Sequence, residues 1–260
     1  MGQKVAGVRK ASRVAAKILN ELAMKADVGT NLIDLDNYAK YLMDEYGVES
    51  SCKGYQPEWN DLPPFPSHAC YSVNEEAVHG IARDYELKDG DSISIDVAVC
   101  KDGWHGDNCS TFLIKNTPEF SLVDELRQAL SHACRAALSA GVRACRAGGR
   151  FSDIGKAVQR TAYLHHFNVA LPMCGHGIGR ELHEYPKIFH FENDINTDIM
   201  EPGMVFTIEP VITNGSGMRM FSNNTGDESS WTAYMSDGAE TAHEEVTVAV
   251  TDGHPEILTI

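Results

Sequence analysis

The 260-residue chain has no uninterrupted apolar run of the ~20 residues that a membrane-spanning helix requires. Its basic, amphipathic start, residues 1–17, also lacks the apolar region and cleavage signal of a secretory leader. We therefore expect no membrane partner and read this start as part of a first helix.

Paired cysteine motifs are absent as well. The seven cysteines are an odd number and include no C-x-x-C pair, which argues against a structural zinc finger and against a disulfide framework. A reducing, cytoplasmic setting is predicted, with most cysteines acting as small buried residues.

Basic residues are in the minority, with 22 Lys and Arg against 37 Asp and Glu and a formal net charge of -15. Proteins that bind nucleic acid through a broad face use Lys and Arg to neutralise phosphates, so direct nucleic-acid binding is not expected. Bound cations would balance part of the negative charge.

The chain also has no low-complexity linker. Apolar spacing predicts two helices within residues 1–50, short strands over 70–114, further helices over 122–147 and 153–164, and strands again towards the end. Two helices followed by strands, twice over, suggest a duplicated unit. The simplest organisation is a single α+β catalytic domain, residues 1–260, with a site between its halves.

Three acidic residues lie on the polar faces of otherwise apolar strands. The alternation in SISIDVAV places Asp96 opposite a row of Ile and Val, and Glu209 in FTIEP and Glu245 in EEVTVAV repeat the pattern. Asp107 in HGDN and His176 in GHGIG complete a set of four carboxylates and one imidazole. Alone, each carboxylate is more often solvated or salt-bridged, but together they indicate a metal site.

The proposed donors are oxygen-rich and include no thiolate. Two divalent ions would be nearly neutralised by four carboxylates, which would otherwise repel one another. Such a donor set suits Mn, Fe, Co or Zn in open coordination. Two ions of this kind activate water and polarise a carbonyl, so the reaction class implied is hydrolysis.

These ordered motifs resemble the type I methionine aminopeptidases of the M24 metallopeptidase family. The resemblance extends over nearly the whole chain and includes IDVAVCKDGWHGD, VNEEAVHGI, CGHGIGRELHEYP, FTIEP and EEVTVAVTD. It implies the pita-bread fold, in which pseudo-twofold duplicated helices and strands surround a central antiparallel sheet. It also implies two divalent metal ions, Co, Mn, Fe or Zn, in the central cleft.

The resemblance assigns the metal ligands residue by residue. Asp96 and Asp107 would bind one ion, with Asp107 also reaching the second. His176 and Glu209 would complete the second ion, and Glu245 would bridge both. Glu209 would also transfer a proton during catalysis.

Two further histidines and a pocket follow from the same resemblance. His79 and His183 match the histidines that contact the substrate near the scissile amide. Cys70, Phe65 and Trp231 occupy positions of the family's pocket walls, with ordinary core packing as the alternative. The chain departs from the family's pattern in the proline-rich loop 54–66, at residues 181–182 and in segment 215–231, so the pocket rim is expected to differ.

The implied function is removal of the N-terminal initiator methionine from nascent proteins and peptides when the second residue is small. Water activated by the two metal ions would attack the first peptide bond. We expect a cytoplasmic monomer with transient ribosome contact. The alternatives are an Xaa-Pro aminopeptidase or prolidase, and a non-catalytic binding protein of the same fold, which would be expected to lack ligands.

Overall fold

Four α-helices lie in two consecutive pairs within residues 2–57, 62–216, 220–222 and 228–260, the parts of the chain that the computed structural model describes. The helices are α1 (Gln3–Lys25), α2 (Leu32–Tyr46), α3 (Leu122–Ala144) and α4 (Phe151–Leu164). No helix in these ranges is long and apolar enough to cross a membrane.

The helix ends follow local capping chemistry. The Asn31 side chain caps α2 by accepting a hydrogen bond from the backbone of Ile33 at 2.9 Å. The predicted helix over 122–147 is three residues too long, because the backbone of Cys145 leaves the helical region. The following helix begins two residues before the predicted residue 153.

Short strands occupy the two stretches that follow the helix pairs. They are β1 (Glu49–Ser50), β2 (Cys70–Val73), β3 (Glu76–Val78), β4 (Ser92–Lys101), β5 (Trp104–Leu113), β6 (Asn168–Val169), β7 (Cys174–Gly177), β8 (Glu184–Phe189), β9 (Val205–Ile208), β10 (Val211–Thr213), β11 (Met220–Ser222), β12 (Ala233–Met235), β13 (Thr241–His243), β14 (Val246–Ala249) and β15 (Glu256–Ile257). A short 3-10 helix spans Glu228–Trp231.

Each half of the chain builds an antiparallel sheet. The first has the order β1-β4-β2, with β5 paired to β4, and the second has the order β15-β14-β9-β7-β8. Two three-stranded sheets, β13-β10-β6 and β11-β12-β3, lie beside them.

Each main sheet has its own hydrophobic core with its own helix pair. In the first core, Ile18 and Leu22 of α1 and Leu35 of α2 join Ile93 and Ile95 of β4. Residues of α3 and α4 form the second core with β9 and β14, including Leu130, Ile154, Phe206, Ile208 and Val248. Two helices on an antiparallel sheet therefore occur twice, as the sequence pattern predicts.

A seam of hydrogen bonds joins the two halves where β5 meets the segment that leads into β14. The backbone N–H of Glu245 donates to the carbonyl of Cys109 at 2.9 Å. Next to this bond, the Thr111 hydroxyl donates to the carbonyl of His243 and accepts from its N–H, both at 2.8 Å. The carboxylate-bearing strands of both halves meet at this seam.

Candidate metal centre

The first half of the chain supplies two aspartates from neighbouring strands. Asp96 lies in β4 and Asp107 lies in β5, and the register pairs Asp96 with Cys109 and Asp107 with Ala98. The apolar residues of β4, from Ile93 to Val99 in alternation, are fully buried in the first core. The alternation therefore turns Asp96 away from that core, as predicted from the sequence.

The second half supplies the remaining three candidate ligands. His176 lies in β7, Glu209 follows the last residue of β9, and Glu245 precedes the first residue of β14. Since β9 is paired with β14 and with β7, these positions come together at one end of the sheet.

Three of the five residues form a tight cluster. One ligand atom from each of Asp107, His176 and Glu245 lies within 4.8 Å of the other two, and all three residues are buried. The carboxylate of Glu209 is close by, with its Oε1 atom 3.5 Å from the Nε2 atom of His176. The Oδ2 atom of Asp107 lies 3.7 Å from the same nitrogen.

The crowded carboxylates hold protons more tightly than usual. Burial raises the pKa of Asp96 to about 6 and that of Glu209 to about 8. Burial first, and then the neighbouring Asp96 charge, raises the pKa of Asp107 well above its usual range. Burial and then Asp107 do the same for Glu245. Buried carboxylates within reach of one another favour either protonation or a bound cation.

The donor set fits a divalent metal ion. The Oδ1 atom of Asp107 and the Oε1 atom of Glu245 are buried and find no hydrogen-bond partner among the described residues. A buried carboxylate oxygen without a partner is costly, and coordination of a cation satisfies it. Burial lowers the pKa of His176 to about 4, so its imidazole is neutral, as a metal ligand must be.

His79 and His183 lie near this cluster. Burial lowers the pKa of His79 to about 4. Desolvation by the surrounding protein, and then the neighbouring His176, lower the pKa of His183 to about 3. The ring of His183 is 4.3 Å from that of His176 between centroids. The hydroxyl of Tyr55 lies 2.6 Å from the Nδ1 atom of His183.

The three predicted pocket residues share one apolar cluster. Cys70, Phe65 and Trp231 pack together with Cys52 and Leu182. The Phe65 and Trp231 rings meet edge to face at 5.4 Å, and the Nε1 atom of Trp231 donates to the carbonyl of Pro63 at 2.7 Å. The hydrogen bond that the Cys70 thiol shares with Cys52, followed by burial, raises the pKa of that thiol.

The rim of this pocket is described in part. Leu62, on the loop predicted over 54–66, packs half-buried against the same cluster. Residues 58–61 of that loop, and 217–219 and 223–227 of the divergent segment 215–231, lie outside the described residues.

Residues that the sequence patterns did not mark as functional also line the centre. The Thr207 hydroxyl donates to the Oε1 atom of Glu209 at 2.6 Å. The buried His190 accepts the backbone N–H of Glu209 on its Nε2 atom at 3.1 Å. Thr207 shares a strand face with Glu209, so period-2 alternation could have identified it, whereas no local pattern marks Tyr55 or His190.

Sequence comparison places the chain among known peptidases. Residues 6–252 match the model of metallopeptidase family M24. A methionine aminopeptidase of Clostridium perfringens is 34% identical over 253 residues, covering 97% of this chain and 94% of that protein. Methionine aminopeptidase B of a Synechocystis species is 35% identical over 254 residues, covering 97% and 88% of the two chains.

Structural comparison gives the same grouping and confirms the predicted fold class. The crystal structure of a methionine aminopeptidase from Rickettsia prowazekii superposes with a TM-score of 0.89 at 28% identity, covering 99% of this chain and 97% of that one. A prolidase from Pyrococcus furiosus shares the fold, with a TM-score of 0.72 at 19% identity. The superposition covers 64% of the prolidase chain. This chain belongs to metallopeptidase family M24.

Proposed function

We propose that this chain is a metal-dependent aminopeptidase that removes the N-terminal methionine from proteins and peptides when the second residue is small. The observation that carries the proposal is the cluster of Asp107, His176 and Glu245, whose ligand atoms lie within 4.8 Å of one another. The methionine aminopeptidases that resemble this chain at 34–35% identity over 97% of its length support the choice of reaction.

The same proposal assigns the ligands of two divalent ions, Co, Mn, Fe or Zn. Asp96 and Asp107 would hold one ion, His176 and Glu209 the other, and Asp107 and Glu245 would serve both. Four carboxylates against two divalent charges make a nearly neutral centre, which relieves the repulsion that burial intensifies. Bound ions of this kind would acidify a water molecule and polarise the carbonyl oxygen of the scissile bond.

The protein's own groups supply the rest of the chemistry. His79 and His183 lie beside the centre as neutral imidazoles, and each can donate one ring N–H to the oxygen on which negative charge develops. The Oε1 atom of Glu209 is held by Thr207 at 2.6 Å, so we assign the proton transfer to the other oxygen. It would take a proton from the attacking water and return it to the leaving amine.

Selection of methionine is assigned to the cluster of Cys70, Phe65 and Trp231. A thiol and two aromatic rings at right angles form an apolar surface without charge. The unbranched, polarisable thioether of methionine suits such a surface, because sulfur makes favourable contacts with aromatic ring edges.

The proposal includes a setting for the enzyme. A single domain comprising residues 1–260 would act as a monomer in the cytoplasm on nascent polypeptides, with transient contact to the ribosome. All seven cysteines are free, which suits a reducing compartment. The acidic net charge of -15 suits a partner other than bare nucleic acid.

Release of the first residue from four peptides tests the proposal. The metal-stripped chain is reloaded with Mn, Co, Fe or Zn and offered peptides that begin Met-Gly, Met-Lys, Ala-Gly and Ala-Pro. We expect turnover of the Met-Gly peptide and its loss in Asp107→Ala. Asp124→Asn, at a buried aspartate that caps α3, is the matched control and should retain turnover.

Two outcomes would contradict the assignment. No turnover of Met-Gly with any of the four metals would rule out a methionine aminopeptidase. Preference for the Ala-Pro peptide would instead favour the prolidase reaction of the structures that share this fold at lower identity.

A further inference from the structure

Two fully buried threonines face each other beside the candidate metal centre. Thr207 of β9 and Thr247 of β14 are partners in the register of this antiparallel pair, and both are 0% exposed. A buried hydroxyl is stable only if it is hydrogen-bonded. Both hydroxyls form hydrogen bonds with residues that are proposed metal ligands.

Thr207 connects two of these ligands. Its hydroxyl donates to the Oε1 atom of Glu209 at 2.6 Å and accepts the backbone N–H of His176 at 3.0 Å. A hydroxyl has one hydrogen to donate, and here that hydrogen goes to the carboxylate. One side chain thus fixes the orientation of Glu209 and the position of His176, 31 residues away in sequence.

The backbones of β7 and β9 approach closely at this point. A Cβ atom added to Gly175 would lie 2.4 Å from the carbonyl oxygen of Thr207, so only glycine permits this separation. The strands pair at Gly177 and Phe206, and the bond from His176 to the Thr207 hydroxyl extends the contact towards the ligands.

Thr247 fixes a ligand from the other half of the chain. Its hydroxyl donates to the backbone carbonyl of Asp107 at 2.7 Å, and the N–H of Asp107 donates back to it at 3.4 Å. The two residues are 140 positions apart and lie on opposite sides of the seam. Thr247 therefore determines how far Asp107 lies from the ligands of the second sheet.

We propose that Thr207 and Thr247 are positioning residues that hold His176, Glu209 and Asp107 in a ligating arrangement before a cation binds. The inference rests on the metal centre of the proposed function. Side chains that hydrogen-bond to metal ligands typically contribute about 10–100-fold to metal affinity. Loss of either hydroxyl should weaken cation binding by that factor.

Replacement by valine tests the proposal, because valine keeps the shape of threonine and removes its hydroxyl. Calorimetric titration of the metal-stripped full chain with Mn²⁺ should show about 10–100-fold weaker binding in Thr207→Val and in Thr247→Val. Thr207→Ser, which retains the hydroxyl, should bind within a few-fold of the wild type. Thr213→Val is the matched control, since Thr213 is equally buried and its hydroxyl donates to the carbonyl of Glu240, outside the centre.

Each result decides the question. Wild-type affinity in both valine variants, alongside wild-type Mn²⁺ binding and Met-Gly cleavage, would overturn this inference and leave the proposed function intact. A wild-type chain that binds no Mn²⁺ would instead overturn the metal centre and this inference with it. If both valine variants fail to fold while Thr213→Val folds, the hydroxyls support the fold and not the ligands, and the inference is overturned.

Discussion

Replacing Glu245 with glutamine should stabilise the metal-free protein. Ligand atoms of Glu245 and Asp107 lie within 4.8 Å of each other, and two unit negative charges at that distance repel by about 3 kcal/mol at an effective dielectric constant of about 20. Glutamine keeps the size of the side chain and removes one charge. We expect the free energy of unfolding of the Glu245→Gln variant to exceed that of the wild type by about 3 kcal/mol at pH 8.

The gain should shrink as the pH falls. Burial and then Asp107 raise the pKa of Glu245 in the folded state. A carboxyl with a raised folded-state pKa stabilises the protein below its unfolded pKa and loses that contribution as the pH rises through the folded-state value. At pH 5 the wild-type carboxyl takes up its proton at a cost of about 1 kcal/mol, so the advantage of glutamine should fall to about 1 kcal/mol.

Urea unfolding in EDTA, followed by circular dichroism at pH 8 and pH 5, measures both values. The slope of the free energy of unfolding against urea concentration should not change, because the surface exposed on unfolding is the same. Glu244→Gln is the matched control. Its buried carboxylate accepts hydrogen bonds from Arg135 and Ser110, both at 2.9 Å, so this variant should lose about 1–2 kcal/mol.

Glu245→Gln and Glu244→Gln, at adjacent residues, should change the free energy of unfolding in opposite directions. A Glu245→Gln variant that is no more stable than the wild type at pH 8, or whose gain does not depend on pH, would show that the two carboxylates do not repel each other in the folded protein. Equal effects at both positions would show that burial alone, and not the neighbouring charge, governs this site.

Three further results are expected. Tyr55→Phe should lower kcat for a Met-Gly peptide up to about tenfold with little change in KM, because His183 loses the hydrogen bond that orients its ring. Gly80→Ala should lower the free energy of unfolding by about 3 kcal/mol in urea denaturation, since its Cβ would lie 2.1 Å from a backbone oxygen. Excess Mn²⁺ at 100 times Kd should stabilise the wild type by about 2.7 kcal/mol in a thermal-shift assay, but not Asp107→Ala.

Each of these expectations has its own control. Tyr41→Phe, at an exposed tyrosine on α2, should leave kcat unchanged. An equal loss of kcat in both tyrosine variants would show that the Tyr55 hydroxyl does not act through His183. Gly253→Ala, where the added Cβ meets only ordinary contacts, should stay within about 0.5 kcal/mol of the wild type. Stabilisation of Asp107→Ala by Mn²⁺ would place the cation elsewhere.

Much of the fold follows from local sequence patterns. The alternation in β4 predicts a buried row of Ile and Val and turns Asp96 to the other side, and the structure has this arrangement. Asn31 marks the start of α2 and caps it. The predicted end of α3 lies three residues too late, because the 3.6-residue apolar periodicity continues past Ala144 whereas the helical backbone ends there. Local periodicity reports a buried face and is weaker at fixing where an element ends.

The candidate site shows where local patterns stop being informative. Strand alternation selects Glu209 and Glu245 from many acidic residues because their neighbours are apolar and β-branched. The contact of Tyr55 with His183 joins residues 128 positions apart, and that of Thr247 with Asp107 joins residues 140 apart. Such pairs depend on how the two halves of the chain dock, which no periodicity records. The catalytic and ligand roles of these residues stay predictions until the variants are measured.

The seam between the two sheets has a consequence for how this protein unfolds. Each half has its own core, while the proposed ligands come from both halves, with Asp107 on one side and Glu245 on the other. A bound cation would therefore add one more link between two halves that the seam and a shared apolar cluster already join. We expect calorimetry to record one cooperative transition with and without metal, at a higher temperature for the metal-loaded chain, so that metal supply controls how firmly the two halves are joined as well as the chemistry.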